Sequence, residues 1–221
     1  LYIADGHHRY ETALAYRDER RAAAASWTGE EAENFVLAGL TAAEEPGLLI
    51  LPIHRLVHLP QADDSVLERL RQYLAVEEVT PALSQGEAAP HRLLELLAER
   101  GRSAGAFGLC WPGERLFLLT VEHPQGLLAR LCPECPAQWR TLDVAVLHFA
   151  VLGMILRIDP EPIEEGGAVA ITADAQEAWQ EVQTGRYSAA LLLNPVPVDQ
   201  ILVIADAGRR MPRKSTFFYP K

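Results

Sequence analysis

Lysine is nearly absent from this chain. Of its 20 basic residues only Lys214 and Lys221 are lysine, which leaves 18 arginines. An Ala/Leu/Arg-rich bias that replaces lysine wherever it can be replaced has spared Lys214 beside Arg213. A compact ammonium and a planar guanidinium are not interchangeable, so Lys214 reads either as a functional lysine or as chance. Cysteine is scarce as well. Cys110, Cys132 and Cys135 are an odd number, which disfavours a secreted disulfide framework. Net positive charge is missing. A formal charge of −10 argues against nucleic acid as a partner, although a local basic pocket for a nucleotide is compatible with it. No apolar run is long enough for a membrane. The longest, Val144 to Leu156, is broken by His148 and falls short of the ~20 residues of a span. It reads as a buried helix and as a candidate oligomer core. No signal peptide is visible, and the default is a soluble, reducing, cytoplasmic protein. A start methionine is lacking too. The chain opens inside an apparent strand and so reads as a piece of a longer protein with sequence missing before it.

What is present is ordinary globular composition, 49% hydrophobic and 23% charged, enough for one large or two modest domains. Leu1-Tyr2-Ile3-Ala4 is a short apolar strand, and Arg9 to about Ala25 is a helix. Glu30 to Leu37 is a second, shorter helix. Residues 48–57 are extended, punctuated by Pro46, Pro52 and Pro60. Asp63-Asp64 opens a helix to Leu74 with Val66, Leu67, Leu70 and Leu74 on one face. A strand over 76–80, a helix over 90–100 and a hairpin around Pro112-Gly113 follow. Thr141-Leu142-Asp143 caps the long apolar helix to about Arg157. Strands at 168–172 and 189–193 then alternate with helices at 174–182 and 197–206. A β-prone aromatic run, Ser215 to Tyr219, closes the pattern. The fold class is α+β (mixed α/β). Three regions are expected: 1–47 as part of a phosphate-binding domain, 48–140 as an α+β middle region, and 141–221 as an α/β region returning to the site.

Two constellations carry chemistry. Asp5-Gly6-His7-His8-Arg9 sits where a strand would turn into a helix. Such a turn aims backbone N–H groups at an anion. Gly6 permits close approach, Arg9 grips phosphate oxygens bidentately, and the histidines donate to them. Asp5 is placed to hold a divalent metal or to orient a substrate hydroxyl. A plain helix-capping turn with surface histidines is the structural alternative. The second constellation is the tail, residues 209–221, with five cations in thirteen residues. Its Lys214, Ser215 and Thr216 offer an ammonium and two hydroxyls to a polyphosphate, or form a solvated basic loop. It lacks the glycines of a P-loop. Cys132-Pro133-Glu134-Cys135 supplies two of the four ligands of a structural zinc, with Cys110 and His123 at no known zinc spacing. His148 reads as a core histidine, and His54 and His58 remain unassigned.

The run from Ile3 to Leu14 resembles the signature of a family known as domain of unknown function 1015. The run from Met211 to Lys221 resembles that family's second signature. Leu51-Pro52-Ile53-His54-Arg55 and Leu142-Asp143-Val144-Ala145-Val146-Leu147-His148 resemble its intermediate blocks. That family is in turn similar to the ParB/sulfiredoxin superfamily, whose members bind nucleotide phosphates at a Gly-X-His-Arg turn, matched here by Gly6, His8 and Arg9. Sulfiredoxins carry a cysteine before the His-Arg pair, where this chain has His7. Partition proteins add a basic helix-turn-helix domain, which the acidic charge disfavours. Free-serine kinases resemble the turn best.

The resemblance implies a ParB/sulfiredoxin-like nucleotide-binding fold, incomplete at its N-terminus. It also implies a phosphotransferase that takes ATP or ADP, with Mg²⁺, and acts on a serine-like hydroxyl. In that reading Gly6, His7, His8, Arg9, Lys214, Ser215 and Thr216 bind the nucleotide. Asp5, His8 and Lys214 serve catalysis, and Asp5 is the metal ligand. The general base of those kinases has no counterpart among these residues. The alternative is a non-catalytic switch in which CTP or ATP orders a partner surface. The partners implied are a nucleotide and a small-molecule substrate, with no nucleic acid and no membrane, in a monomer or a homo-oligomer.

Overall fold

A computed structural model describes residues 1–80, 88–161, 163 and 166–219. Pro220 and Lys221, the end of the basic tail, lie outside the described residues. The chain divides into two compact units, Leu1–Leu49 with Phe218–Lys221, and Ile50–Phe217. The architecture is mixed α/β, as expected.

The first unit is built on α1, His7–Ala23. It packs against a single 3₁₀ turn, Ala32–Asn34, with an ion pair of 3.4 Å from Arg20 to Glu33. That turn is all that forms of the helix expected over 30–37. Its start is held by Glu31, whose carboxylate accepts from the Thr28 and Gly29 N–H groups and the Thr28 hydroxyl. These bonds hold the carboxyl far below its ordinary range, at about 2. Leu1–Ala4 form no strand, contrary to expectation. All four are exposed and belong to neither sheet, and an apolar run without a neighbouring ladder does not become a strand. No described residue of this unit is buried.

The second unit has a six-stranded sheet in the order β3-β5-β4-β7-β2-β6. The strands are β2 His54–Val57, β3 Ala75–Glu78, β4 Gly105–Trp111, β5 Arg115–Val121, β6 Val169–Thr172 and β7 Ala189–Leu192. Every neighbouring pair is antiparallel. β1, Leu49–Leu51, and β8, Phe217–Tyr219, pair separately as a two-stranded sheet.

Both faces of the large sheet are covered, so the strands alternate between two cores rather than between core and water. Phe107, Leu109, Trp111, Phe117, Leu119 and Leu191 face one core, under α2 (Asp64–Arg71), α4 (Pro124–Leu131) and α5 (Asp143–Ala145) with its continuation to Leu156. Ala106, Cys110, Leu116, Leu118, Ala190 and Leu192 face the other, under α3 (Ala89–Arg100) and α6 (Ala175–Gln183). Each fully buried Leu or Phe contributes roughly 1.5–3 kcal/mol.

Asp63 and Asp174 cap α2 and α6 as their sequence positions suggest, accepting from the N–H groups of Ser65 and of Gln176 and Glu177. The expected cap at Thr141–Asp143 does not form. Leu142 is the N-cap with no side-chain bond, because the Asp143 carboxylate turns to the Ala106 N–H instead. The helix that follows is α-helical for Asp143–Ala145 and π-helical for Val146–Leu156, and it ends at a left-handed Arg157. Eight of those eleven π-helical residues are buried, so its uniform apolar character serves the core of its own unit. α4 was not anticipated from the sequence. α7, Val198–Asp206, begins after Pro197. Among the described residues no helix is long and apolar enough to cross a membrane.

Candidate functional site

Gly6 is the N-cap of α1 and adopts φ 82, ψ 22, the left-handed conformation that costs any residue with a Cβ about 1–2 kcal/mol. The first helical bond runs from the Tyr10 N–H to the Gly6 carbonyl, 3.0 Å. The N–H groups of His7, His8 and Arg9 precede it and lie at the positive end of a 17-residue helix. No acidic residue stands in the first turn, while Arg20 and Arg21 occupy the last.

Arg9 folds back over the glycine. A Cβ at position 6 would lie 3.3 Å from Arg9 Nη2 and 3.4 Å from Nε. The missing side chain thus seats the guanidinium beside the helix start. His8 extends outward with its side chain 90% exposed, Nδ1 at 3.8 Å from Glu11 Oε2. Asp5 and His7 are exposed at the same turn. A left-handed glycine, three leading N–H groups and a guanidinium thus stand together within four residues, all of them hydrogen-bond donors or the turn that exposes them.

The second candidate lies in the other unit. Lys214 is left-handed, φ 52, one of three such non-glycine residues among those described. Its carbonyl accepts from Arg55 Nη2 at 2.7 Å, and Arg55 Nη1 donates to the Ile53 carbonyl at 2.9 Å. Lys214 and Arg213 are exposed, Thr216 is half-buried and Ser215 is buried. The structure therefore turns the ammonium outward and the Ser215 hydroxyl inward. Trp139 Nε1 donates to the Arg210 carbonyl at 2.9 Å, and Arg213 lies 3.9 Å from Glu161.

Sequence reasoning left the partners of this loop unassigned. Arg55 looked like one arginine among eighteen, yet it is 1% exposed. Burial holds it down to about 10, with Glu161 acting in the opposite sense. The block Leu51–Arg55 was the available signal. His54 is buried, its Nδ1 accepts from the Leu193 N–H at 3.2 Å, and burial together with Arg55 pushes it down to about 4. His58 stacks on Tyr187. His148 is a core histidine, edge-on to Phe149, its basicity lowered by burial and by Arg55.

Cys132 and Cys135 are buried with their sulfurs 2.7 Å apart. Cys110 belongs to the opposite core and does not join them. Among the described residues no group of three or more His, Cys, Asp or Glu side chains gathers to hold a metal.

A family model described as "Protein of unknown function (DUF1015)" matches residues 1–145, which takes in the turn, β2 and Asp143. The chain belongs to the DUF1015 family. No curated protein matches it. Among solved structures this DUF1015 chain is similar to a mutant free serine kinase in complex with ADP, at 14% identity and TM-score 0.45. It is similar to a mutant free serine kinase in complex with AMP at 14% and TM-score 0.47. In both cases 98% of this chain covers 66% of the other. A conserved hypothetical protein from Pyrococcus furiosus is similar at 14% identity and TM-score 0.44, with 98% of this chain covering 68% of that one. The chain thus spans just under two thirds of the length of the kinases it resembles.

Proposed function

We propose that this DUF1015 chain is the phosphate-binding part of a nucleotide-dependent phosphotransferase with a ParB/sulfiredoxin-like fold. It takes ATP or ADP and acts on the hydroxyl of a small, serine-like acceptor. The observation that carries the reading is the Gly6–Arg9 turn. Its left-handed glycine, leading N–H groups and folded-back guanidinium match what a nucleotide phosphate requires. The free serine kinases named above are described with ADP and AMP, but the proposal rests on the turn and not on that likeness.

In phosphoryl transfer, positioning and electrostatics carry most of the catalysis. The backbone of Gly6 to Arg9 binds phosphate oxygens, Arg9 adds a bidentate contact, and His7 and His8 donate to the anion. Lys214, in the loop with Ser215 and Thr216 in the other unit, offers a second, separate cation to a phosphate. Mg²⁺ needs only one or two protein carboxylates beside substrate phosphates, so Asp5 alone fits that part. When bound, the ion draws charge from the phosphate oxygens.

The test is the thermal shift of the full-length protein with ATP, ADP and CTP, with and without Mg²⁺, for wild type and Arg9→Ala. A ligand at ~100 times its dissociation constant stabilises by about 2.7 kcal/mol. A shift in wild type that Arg9→Ala abolishes is expected, and no shift with any nucleotide would end this reading.

A second reading is a nucleotide-gated switch without turnover. It is favoured by the exposed apolar side chains of the first unit, among them Leu1, Phe35, Leu37 and Leu40, each at least 65% exposed. Such a surface suits assembly with a partner. A saturating nucleotide that changes the assembly state and yields no product would select this reading over the first.

A further inference from the structure

Arg55 stands on β2, between β7 and β6 in the large sheet, with almost no exposed surface. A buried cation is costly unless its donors are met. Here two are met by backbone carbonyls, those of Ile53 and Lys214, 159 residues apart for the second. Its Nε is buried without a partner among the described residues. An apolar side chain of similar size would avoid that burden, so the guanidinium is better explained by what it holds than by what it stabilises.

What it holds is a strained residue. Lys214 is left-handed at φ 52, a conformation that glycine adopts freely and lysine does not. Ser215 is buried behind it and Arg213 faces Glu161 at 3.9 Å. The Lys214 side chain stands exposed. The loop is pinned from the inside by its backbone, and one cation is turned out. His148, Glu161 and Arg55 are close enough to influence one another electrostatically, which brings the block around Arg55, the block ending at His148 and the block around Lys214 to one place.

We propose that Arg55 is a positioning residue: by holding the Lys214 carbonyl it fixes the left-handed turn that presents the Lys214 ammonium to a phosphate. This rests on the reading of Lys214 as a phosphate ligand given above. Arg55 itself does not touch the anion. It acts through the backbone of the loop, and the two residues form one device.

The test uses the full-length protein, inorganic tripolyphosphate as probe, and amide hydrogen exchange followed over residues 213–216. Arg55→Lys keeps the charge but cannot span both carbonyls as a planar fork does. It is expected to speed exchange at 214–216 about tenfold and weaken tripolyphosphate about tenfold, the value of one charge-assisted hydrogen bond. Peptides from the β4–β5 hairpin should keep their wild-type rates. Arg55→Met, an apolar side chain of similar length, is the second variant should Arg55→Lys fail to fold, with the same expectation. Lys214→Gly relaxes the strained residue, so it should keep the loop protected and still lose the tripolyphosphate affinity. Combining Arg55→Lys with Lys214→Gly should weaken binding no further than Lys214→Gly alone. Unchanged exchange at 214–216 in both Arg55 variants overturns the positioning role and leaves the phosphate reading standing. A further loss in the double variant overturns it as well, because Arg55 would then contact the anion itself. Faster exchange in the Arg55 variants, with wild type itself failing to bind tripolyphosphate, would instead overturn the phosphate role of Lys214.

Discussion

Asp143 occupies space that a side chain at Gly105 would take: a Cβ there would lie 3.2 Å from Asp143 Oδ1. The carboxyl lines a cavity of about 450 Å³ together with Thr141, Asn194 and Gln200. Burial pushes it up to about 6, against the lowering effect of the Ala106 N–H. The folded state therefore holds a proton that the unfolded state, near 3.8, has released. Between pH 4 and 6 the folded form binds more protons, so this group makes stability fall as pH rises. The effect is on the order of 1–3 kcal/mol. Asp143→Asn is expected to remove it and to raise the denaturation midpoint at pH 7 relative to wild type. An equal or lower midpoint would mean that the carboxylate is satisfied as an anion.

His54 works in the opposite direction. Its folded value of about 4 lies below the ordinary 6.5, so its contribution is complete above pH 6.5 and is lost as pH falls toward 4. In wild type the two slopes oppose each other across pH 4–6. Denaturant titrations of Asp143→Asn over that range should therefore show stability rising with pH more steeply than in wild type. Identical slopes in the two proteins would remove Asp143 from this account, and a flat or falling slope in Asp143→Asn would remove His54.

Gly108 in β4 lies under α3, and a Cβ there would meet Leu93 Cδ2 at 3.0 Å and Leu192 Cβ at 3.2 Å. Leu93 and Leu192 are both fully buried, so neither has room to withdraw. Gly108→Ala is expected to cost about 1–3 kcal/mol by overpacking. In a cycle with Leu93→Ala the two losses should be less than additive, because the second change opens the space that the first one fills. Strict additivity in equilibrium unfolding would show that the strand shifts instead.

At the turn, Gly6→Ala forces a Cβ into φ 82 and against the Arg9 guanidinium. Asparagine tolerates the left-handed region better than alanine. The expected order of the nucleotide-dependent thermal shift is wild type, then Gly6→Asn, then Gly6→Ala, with the last losing roughly tenfold or more in affinity. An Ala variant that binds as wild type would detach the glycine from the site.

Local signals were readable where local physics decides the outcome. Pro112-Gly113 announced the β4–β5 hairpin, and Gly113 is left-handed at φ 75. Asp63 and Asp174 were legible as helix starts, and both prove to be the caps, because an aspartate before a periodic apolar stretch has little else to do. Gly6 and Arg9 were legible for the same reason: the turn is made of neighbours. The misses are places where a distant partner decides. Asp143 abandoned its own helix for the Ala106 N–H. Leu1–Ala4 has strand chemistry but joins neither sheet. α4 is short and opens on a proline, so its apolar Leu127 and Leu128 gave too little periodicity to register. Arg55 is the clearest case, since its role depends on a carbonyl far along the chain.

The strand order has a consequence for how the second unit assembles. Among the described residues β7, residues 189–192, joins the β3-β5-β4 half of the sheet to the β2-β6 half. The β4–β5 hairpin closes over a handful of residues, whereas the seam closes only when β7, the last strand of this sheet in chain order, arrives. Long-range closure of this kind is slow compared with hairpin formation. During synthesis the flanks of β2 and β4 stay unpaired until residue 192 has left the ribosome, and unpaired flanks invite other chains. A nascent chain that stalls before β7 therefore carries two adhesive edges, and the last quarter of the sequence acts as the closing stitch for the first.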